Sequence, residues 1–126
     1  MPRIRKRDAK AAVSAYCSEL GESFVPKVID FELCPYLPLD DHHDIEVAGY
    51  VVHENDGMRH VNVILWRVPD SRRPSSAHEL MRVTLVPNGP GVVREVCDWL
   101  AAHVDEAELA GPRSVHYAEW RAIARR

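Results

Sequence analysis

Asp40-Asp41-His42-His43-Asp44 is the densest concentration of chemically versatile side chains in this sequence, and His53, His60 and His78 follow it. Five imidazoles within 37 residues, beside three aspartates, supply the nitrogen and oxygen donors that a divalent cation takes. A metal-assisted hydrolase or nucleic-acid-processing enzyme drawing on residues 40–60 would need three or four such ligands converging at about 2.0–2.2 Å. His53 and His60 are the pair best placed to share an ion, because the strands that carry them are expected to face each other. His42 and His43 are too far away to join them. Nine residues lie between His43 and His53, roughly 30 Å of extended chain.

Other chemistries find less to work with. Cys17 and Cys97 fall on apolar helical stripes, where cysteine behaves as a small hydrophobe. Cys34 sits in Cys-Pro-Tyr, which matches no nucleophile motif. Ser75 and Ser76 lie in a polar Pro/Ser/Arg loop, a poor platform for attack geometry. Pro87-Asn88-Gly89-Pro90-Gly91 has too few glycines for a phosphate loop and no Lys-Ser/Thr after it, so it reads as a helix-start turn. A nuclease of the restriction-enzyme type wants Glu-x-Lys on a hairpin, whereas the matching strand reads Glu46-Val47-Ala48. No catalytic residue and no cofactor is assigned.

The elements that must hold these groups begin with a hairpin over residues 44–68. DIEVAGYVVHE and RHVNVILWRV are strand-like, and Asp56-Gly57 between them suits a two-residue type I′ turn. That turn sets a register: Glu54 opposite Arg59, His53 opposite His60, Glu46 opposite Arg67 and Ile45 opposite Val68. The charge pairs it creates have the favourable sign. Both faces of this hairpin are apolar along most of their length, so both need cover.

Around it, Asp8 caps a helix running to about Leu20 with Gly21 as its stop, and Val13, Tyr16, Cys17 and Leu20 make its apolar stripe. Lys27 to Leu33 alternates as a strand with Ile29, Phe31 and Leu33 inward. CPYLPLDDHH reads as a loop stiffened by Pro35 and Pro38, and residues 69–79 as another. Residues 80–86 form a fourth strand with Met81, Val83 and Leu85 inward. Val92, Val93, Val96, Cys97, Leu100 and Val104 stripe one helix over 92–110, ended by Gly111-Pro112. Ser114 caps a last helix over 115–125 carrying Tyr117, Trp120 and Ile123. The fold class expected is α+β: an N-terminal helix, a four-stranded antiparallel meander around the 44–68 hairpin, and two C-terminal helices. In element order alone this resembles RWD-type domains and the ubiquitin-conjugating core, whose YPxxxP and HPN motifs this sequence lacks. The core expected is Val13, Tyr16, Leu20, Ile29, Phe31, Val83, Leu85, Val96 and Leu100.

At 126 residues and 14.3 kDa the chain suits a single domain over 1–126, with a basic tail at 1–7. No apolar run approaches a membrane span, and no apolar region follows the basic start as in a secretory signal. Three widely spaced cysteines, odd in number, argue for a reducing compartment, here cytoplasmic. Thirteen arginines against three lysines suggest a GC-rich bacterial genome. Arg3, Arg5, Lys6 and Arg7 could touch nucleic-acid phosphates, although no groove-reading motif accompanies them. The leading expectation is a non-catalytic protein-binding module, a bacterial or phage-type inhibitor, immunity or adaptor protein. It would dock a protein partner, or a second copy of itself, through the hairpin face, with Tyr50, Val63, Trp66, Tyr36 and Trp120 as contacts. The enzyme built on 40–60, with His53 and His60 as ligands, is the alternative.

Overall fold

A computed structural model describes residues 6–28, 33–48, 61–70, 72–73, 76–85, 90–110 and 113–114. Helix α1 (Lys6–Leu20) precedes strands β1 (Val25–Val28), β2 (Leu33–Asp40), β3 (His43–Ala48), β4 (Val61–Arg67) and β5 (His78–Leu85). Helices α2 (Pro90–Ala102) and α3 (Val104–Ala110) follow, then the two-residue strand β6 (Arg113–Ser114). The sheet order is β1-β2-β3-β4-β5-β6, antiparallel through β5, with β6 parallel to β5. The class is α+β, as expected, but the meander has five strands rather than four.

The additional strand comes from the segment expected to be a loop. Residues 34–40 belong to β2, although they include Pro35 and Pro38. Proline removes a ladder donor, so its position in a pairing strand needs a reason. Pro26 and Pro35 face each other across β1 and β2, which suits a pair of positions that exchange no hydrogen bonds. Alternation then turns the nitrogen of Pro35 towards β3, whose pairing with β2 begins only at Tyr36. It turns that of Pro38 towards β1, whose pairing ends at Tyr36. Neither proline interrupts a bond that a neighbour would otherwise make.

The register of β3 on β4 also departs from the turn-based expectation. Ile45 faces Leu65, Val47 faces Val63 and Glu46 faces Ile64, an offset of three residues from the pairing of Ile45 with Val68. An odd offset changes which residues share a face. The observed pairing gathers Ile45, Val47, Val61, Val63 and Leu65 on one side, each at most 1% exposed. Complete burial of such a side chain contributes about 1.5–3 kcal/mol, against roughly 0.2–1 kcal/mol for a cross-strand charge pair. Several buried aliphatics therefore outweigh the Glu46–Arg67 pairing that the turn favours. The expected contacts His53–His60 and Glu54–Arg59, and the Asp56-Gly57 tip, lie outside the described residues.

The helices cover this aliphatic face. Val13, Cys17 and Leu20 of α1, Val92, Val93, Val96, Cys97 and Leu100 of α2, and Ala107 of α3 join it in one core, with Tyr16 packed at its margin. The expected members Val13, Leu20, Val83, Val96 and Leu100 are buried. Ile29, Phe31 and the side chain of Leu85 lie outside the described residues. A bulge opposite Leu65 and Trp66 lets both Leu80 and Met81 reach the core.

Three helical details differ from the sequence reading. Asp8 lies inside α1, which starts at Lys6, so it is not the cap, and residues 6–7 are helix rather than tail. Gly21 does end α1: its φ of 139° is open to glycine, and its N–H reaches the Cys17 carbonyl at 2.9 Å. The single helix expected over 92–110 is two, broken at His103. A continuous helix would give the Trp99 carbonyl to the N–H of His103. Instead the ring Nδ1 of His103 donates to that carbonyl at 2.7 Å, and its backbone N–H turns to Leu100 at 3.0 Å. The imidazole stacks on Trp99 with centroids 3.8 Å apart, which fixes this arrangement. Ser114, expected to cap a helix, lies in β6; the helix expected at 115–125 lies outside the described residues.

Candidate functional site

The segment 40–44 forms a tight corner. Asp40 ends β2, His43 opens β3 directly opposite it, and Asp41-His42 is the loop. The His42 N–H donates to Asp40 Oδ1 at 2.7 Å, the side-chain-to-backbone bond by which aspartate closes short turns. His42 is exposed at the corner, with its Nδ1 3.3 Å from the Val68 carbonyl. His43 points the other way and is buried, its side chain 10% exposed. The adjacent histidines therefore serve different surroundings.

His43 is held between two carboxylates. Nδ1 lies 2.8 and 3.0 Å from the two oxygens of Asp40, and Nε2 lies 2.5 Å from Glu108 Oε1 on α3. Arg67 Nη1 donates to that same Glu108 oxygen at 2.6 Å. A carboxylate at each ring nitrogen calls for a proton on each, so the geometry suits the imidazolium. Burial by itself lowers the pKa of His43, but the bonds to Glu108 and Asp40 outweigh it and raise the value above the ordinary 6.5. The His43 bond is the main influence on Glu108 and, with Arg67, lowers its pKa. Asp40 is pushed up by burial and down, more strongly, by the His42 N–H and His43 together.

On the second face of the sheet, Pro38, Asp44, Trp66 and Glu79 form one row across β2, β3, β4 and β5. Asp44 is buried at 5% and receives Lys27 Nζ at 2.6 Å from β1. Glu46, buried at 4%, accepts the Trp66 indole N–H at 2.8 Å. Arg82 grips Glu79 through two bonds at 3.1 and 2.6 Å, and Thr84 donates to Asn62 at 2.6 Å. Buried carboxylates are tolerated because each has a donor. A cleft of about 460 Å³ opens at this end of the sheet. Lys27 and Asp44 line it with Val28, Pro38 and Pro69, and exposed Asp40 and Asp41 stand beside Asp70.

Of the contacts expected for a partner, Tyr36 and Val63 are interior, each 0% exposed. Trp66 is half-buried, and Tyr50 and Trp120 lie outside the described residues. His53 and His60 lie outside them also. Among the described residues, no three or more His, Cys, Asp and Glu side chains are arranged to hold a metal ion. Arg3 and Arg5 lie outside the described residues, as do the side chains of Lys6 and Arg7. Cys17, Cys34 and Cys97 are buried, and burial, with Asp98 nearby, pushes the Cys97 thiol up to about 12. No described helix is long and apolar enough to cross a membrane. Sequence reasoning missed Lys27, Glu108 and the Trp66–Glu46 bond, which join residues 17, 65 and 20 positions apart.

No protein-family model matches this chain, and no curated protein or solved structure matches it significantly.

Proposed function

We propose that this protein is a non-catalytic binding module, and that a protein partner docks on the second face of the sheet around Trp66 and the Lys27–Asp44 cleft. The observation that carries this reading is the mutual pairing of the groups that looked most reactive in sequence. Asp44 is committed to Lys27, and His43 to Asp40 and Glu108. Groups bound in this way hold strands together, whereas an acid–base catalyst must exchange its proton with a bound substrate. What remains available is surface. Trp66 is a half-exposed aromatic of the type that anchors interfaces. Val28 and Pro69 offer exposed apolar contact beside Asp41 and Asp70. That combination suits a basic side chain of the partner, its stem on the apolar wall and its head towards the carboxylates. An inhibitor, immunity or adaptor protein is the class that fits, with a second copy of this chain as the other possible occupant.

Capture from the native host, comparing the wild type with Trp66→Lys and Asp41→Lys, tests the docking face. The expected result is loss of one specific partner in both variants. Asp41→Lys, at an exposed position, should keep a thermal midpoint close to wild type, whereas Trp66→Lys also removes the donor to buried Glu46 and should lower it. Equal capture by all three would remove this face from consideration. Light scattering at micromolar concentration separates self-association from a foreign partner. The enzyme reading keeps one supporting observation, the approach of Asp40, Asp41, His42, His43, Asp44 and Asp70 to a single cleft. A stoichiometric metal in protein purified without a histidine tag would favour it over the binding module. Lys27 argues the other way, because its ammonium already supplies the cation beside Asp44.

A further inference from the structure

We propose that His43 is a proton-operated latch that fastens α3 to the end of the sheet, closed when the imidazole is charged and released when it is neutral. The inference does not depend on the binding reading. It rests on how three elements meet at one ring: Asp40 from β2 at Nδ1, Glu108 from α3 at Nε2, and Arg67 from β4 on the same Glu108 oxygen. His78 of β5 stands opposite Arg67 in register and is exposed.

A neutral imidazole has one N–H, so it can serve only one of the two carboxylates. The other contact then sets a nitrogen lone pair against a carboxylate oxygen. The surroundings decide which contact is lost. Asp40 is directly opposite His43, offers both oxygens and is steadied by the His42 N–H. Glu108 has Arg67 as an alternative donor. The neutral ring therefore keeps its proton on Nδ1 towards Asp40, and Glu108 moves towards Arg67. Helix α3 bears the consequence. Its seven residues are fewer than the about 12–15 that sustain a helix in isolation. Its apolar attachment is small: Ala107 is buried and Val104 partly so, while Leu109 is 91% exposed. Arg67 still donates to Glu108 when the His43 ring is neutral, so release loosens α3 rather than unfolding it.

Hydrogen exchange across pH 5–9, corrected for intrinsic rates, reads the latch directly in the intact chain. Residues 104–110 should lose protection by roughly ten- to hundredfold as His43 deprotonates, the scale of one charged hydrogen bond. Residues 91–100 of α2 serve as the internal reference and should not show that step. An NMR titration of the His43 ring should place its midpoint above 6.5, in line with its raised pKa, and coincident with the step. In Glu108→Gln the step should vanish. Parallel behaviour of α3 and α2, a His43 midpoint at or below 6.5, or a step that persists in Glu108→Gln would overturn the proposal. If Glu108→Gln does not fold, the wild-type comparison of α3 with α2 decides alone.

Discussion

Along β3, neighbouring side chains reach burial by opposite routes. Ile45 and Val47 are 0% exposed beneath the helices, and Asp44 and Glu46 are 5% and 4% exposed on the other face. The aliphatic pair needs only well-packed neighbours of suitable shape. The acidic pair needs directed donors, and it has them in Lys27 Nζ and Trp66 Nε1. One face gains stability from area, which many arrangements could supply. The other adds to a smaller apolar cluster of Cys34, Tyr36 and Val68 a set of bonds that exist only in one register. The helix-covered face should therefore respond to lost volume and the second face to lost donors.

The largest expected effect lies on the helix-covered side. Leu100 is 0% exposed in the last turn of α2, so Leu100→Ala should cost about 2–5 kcal/mol in chemical denaturation. A change below about 0.5 kcal/mol would mean that α2 does not seal the core, and the contrast between faces would lose its first term.

On the second face, Glu46→Ala should cost about 1–3 kcal/mol because it strands the Trp66 indole N–H. Glu46→Gln keeps an acceptor oxygen in place and should cost clearly less. Equal costs for the two variants would show that an acceptor oxygen kept beside the Trp66 N–H contributes nothing, and the second face would no longer depend on that directed bond.

Proton linkage offers a finer probe of the directed bonds. His43 has a raised folded pKa, so its contribution is fully present below about 6.5 and is lost as pH rises through the folded value. Asp40 and Glu108 have lowered folded values, so theirs is present above about 4.5 and is lost as pH falls through them. The thermal midpoint should therefore be highest between about pH 4.5 and 6.5. His43→Gln should flatten the alkaline side of that maximum. Because the Asp40 side chain is 55% exposed, screening keeps this effect smaller than the loss of Leu100. A wild-type profile level from pH 5 to 8 would show that the His43 cluster contributes no net stability.

The same contrast explains what the sequence revealed. Periodicity alone marks Val13, Cys17 and Leu20, and likewise Val92, Val93, Val96 and Leu100, because one helical stripe faces one core. It also separates Val61, Val63 and Leu65 from Asn62, Ile64 and Trp66. It does not fix how β3 sits against β4, since charge pairs and a favourable turn supported an offset that aliphatic burial overrides. The prolines of β2 suggested a loop because propensity ignores where the neighbouring ladders stop. His43 was visible as a residue of interest, but Glu108 could not be linked to it. That contact depends on the break at His103, where a side chain takes the Trp99 carbonyl. Directed bonds between residues distant in sequence leave no periodic trace.

The smallest expected effect sharpens the comparison from outside both faces. Leu109 follows Glu108 on α3 and is 91% exposed, so it contributes neither buried area nor a directed bond. Leu109→Ser should leave stability within about 0.5 kcal/mol of wild type in dilute solution, the range usual for exposed positions. The comparison should be made at two protein concentrations about a hundredfold apart, because association with a second copy adds stability by mass action. If wild type gains stability with concentration and Leu109→Ser does not, Leu109 belongs to an interface between copies. The docking surface would then lie at α3 rather than around Trp66. If the two proteins match at both concentrations, Leu109 is solvated, and α3 is held to the molecule by Ala107, Val104 and the charges gathered at Glu108.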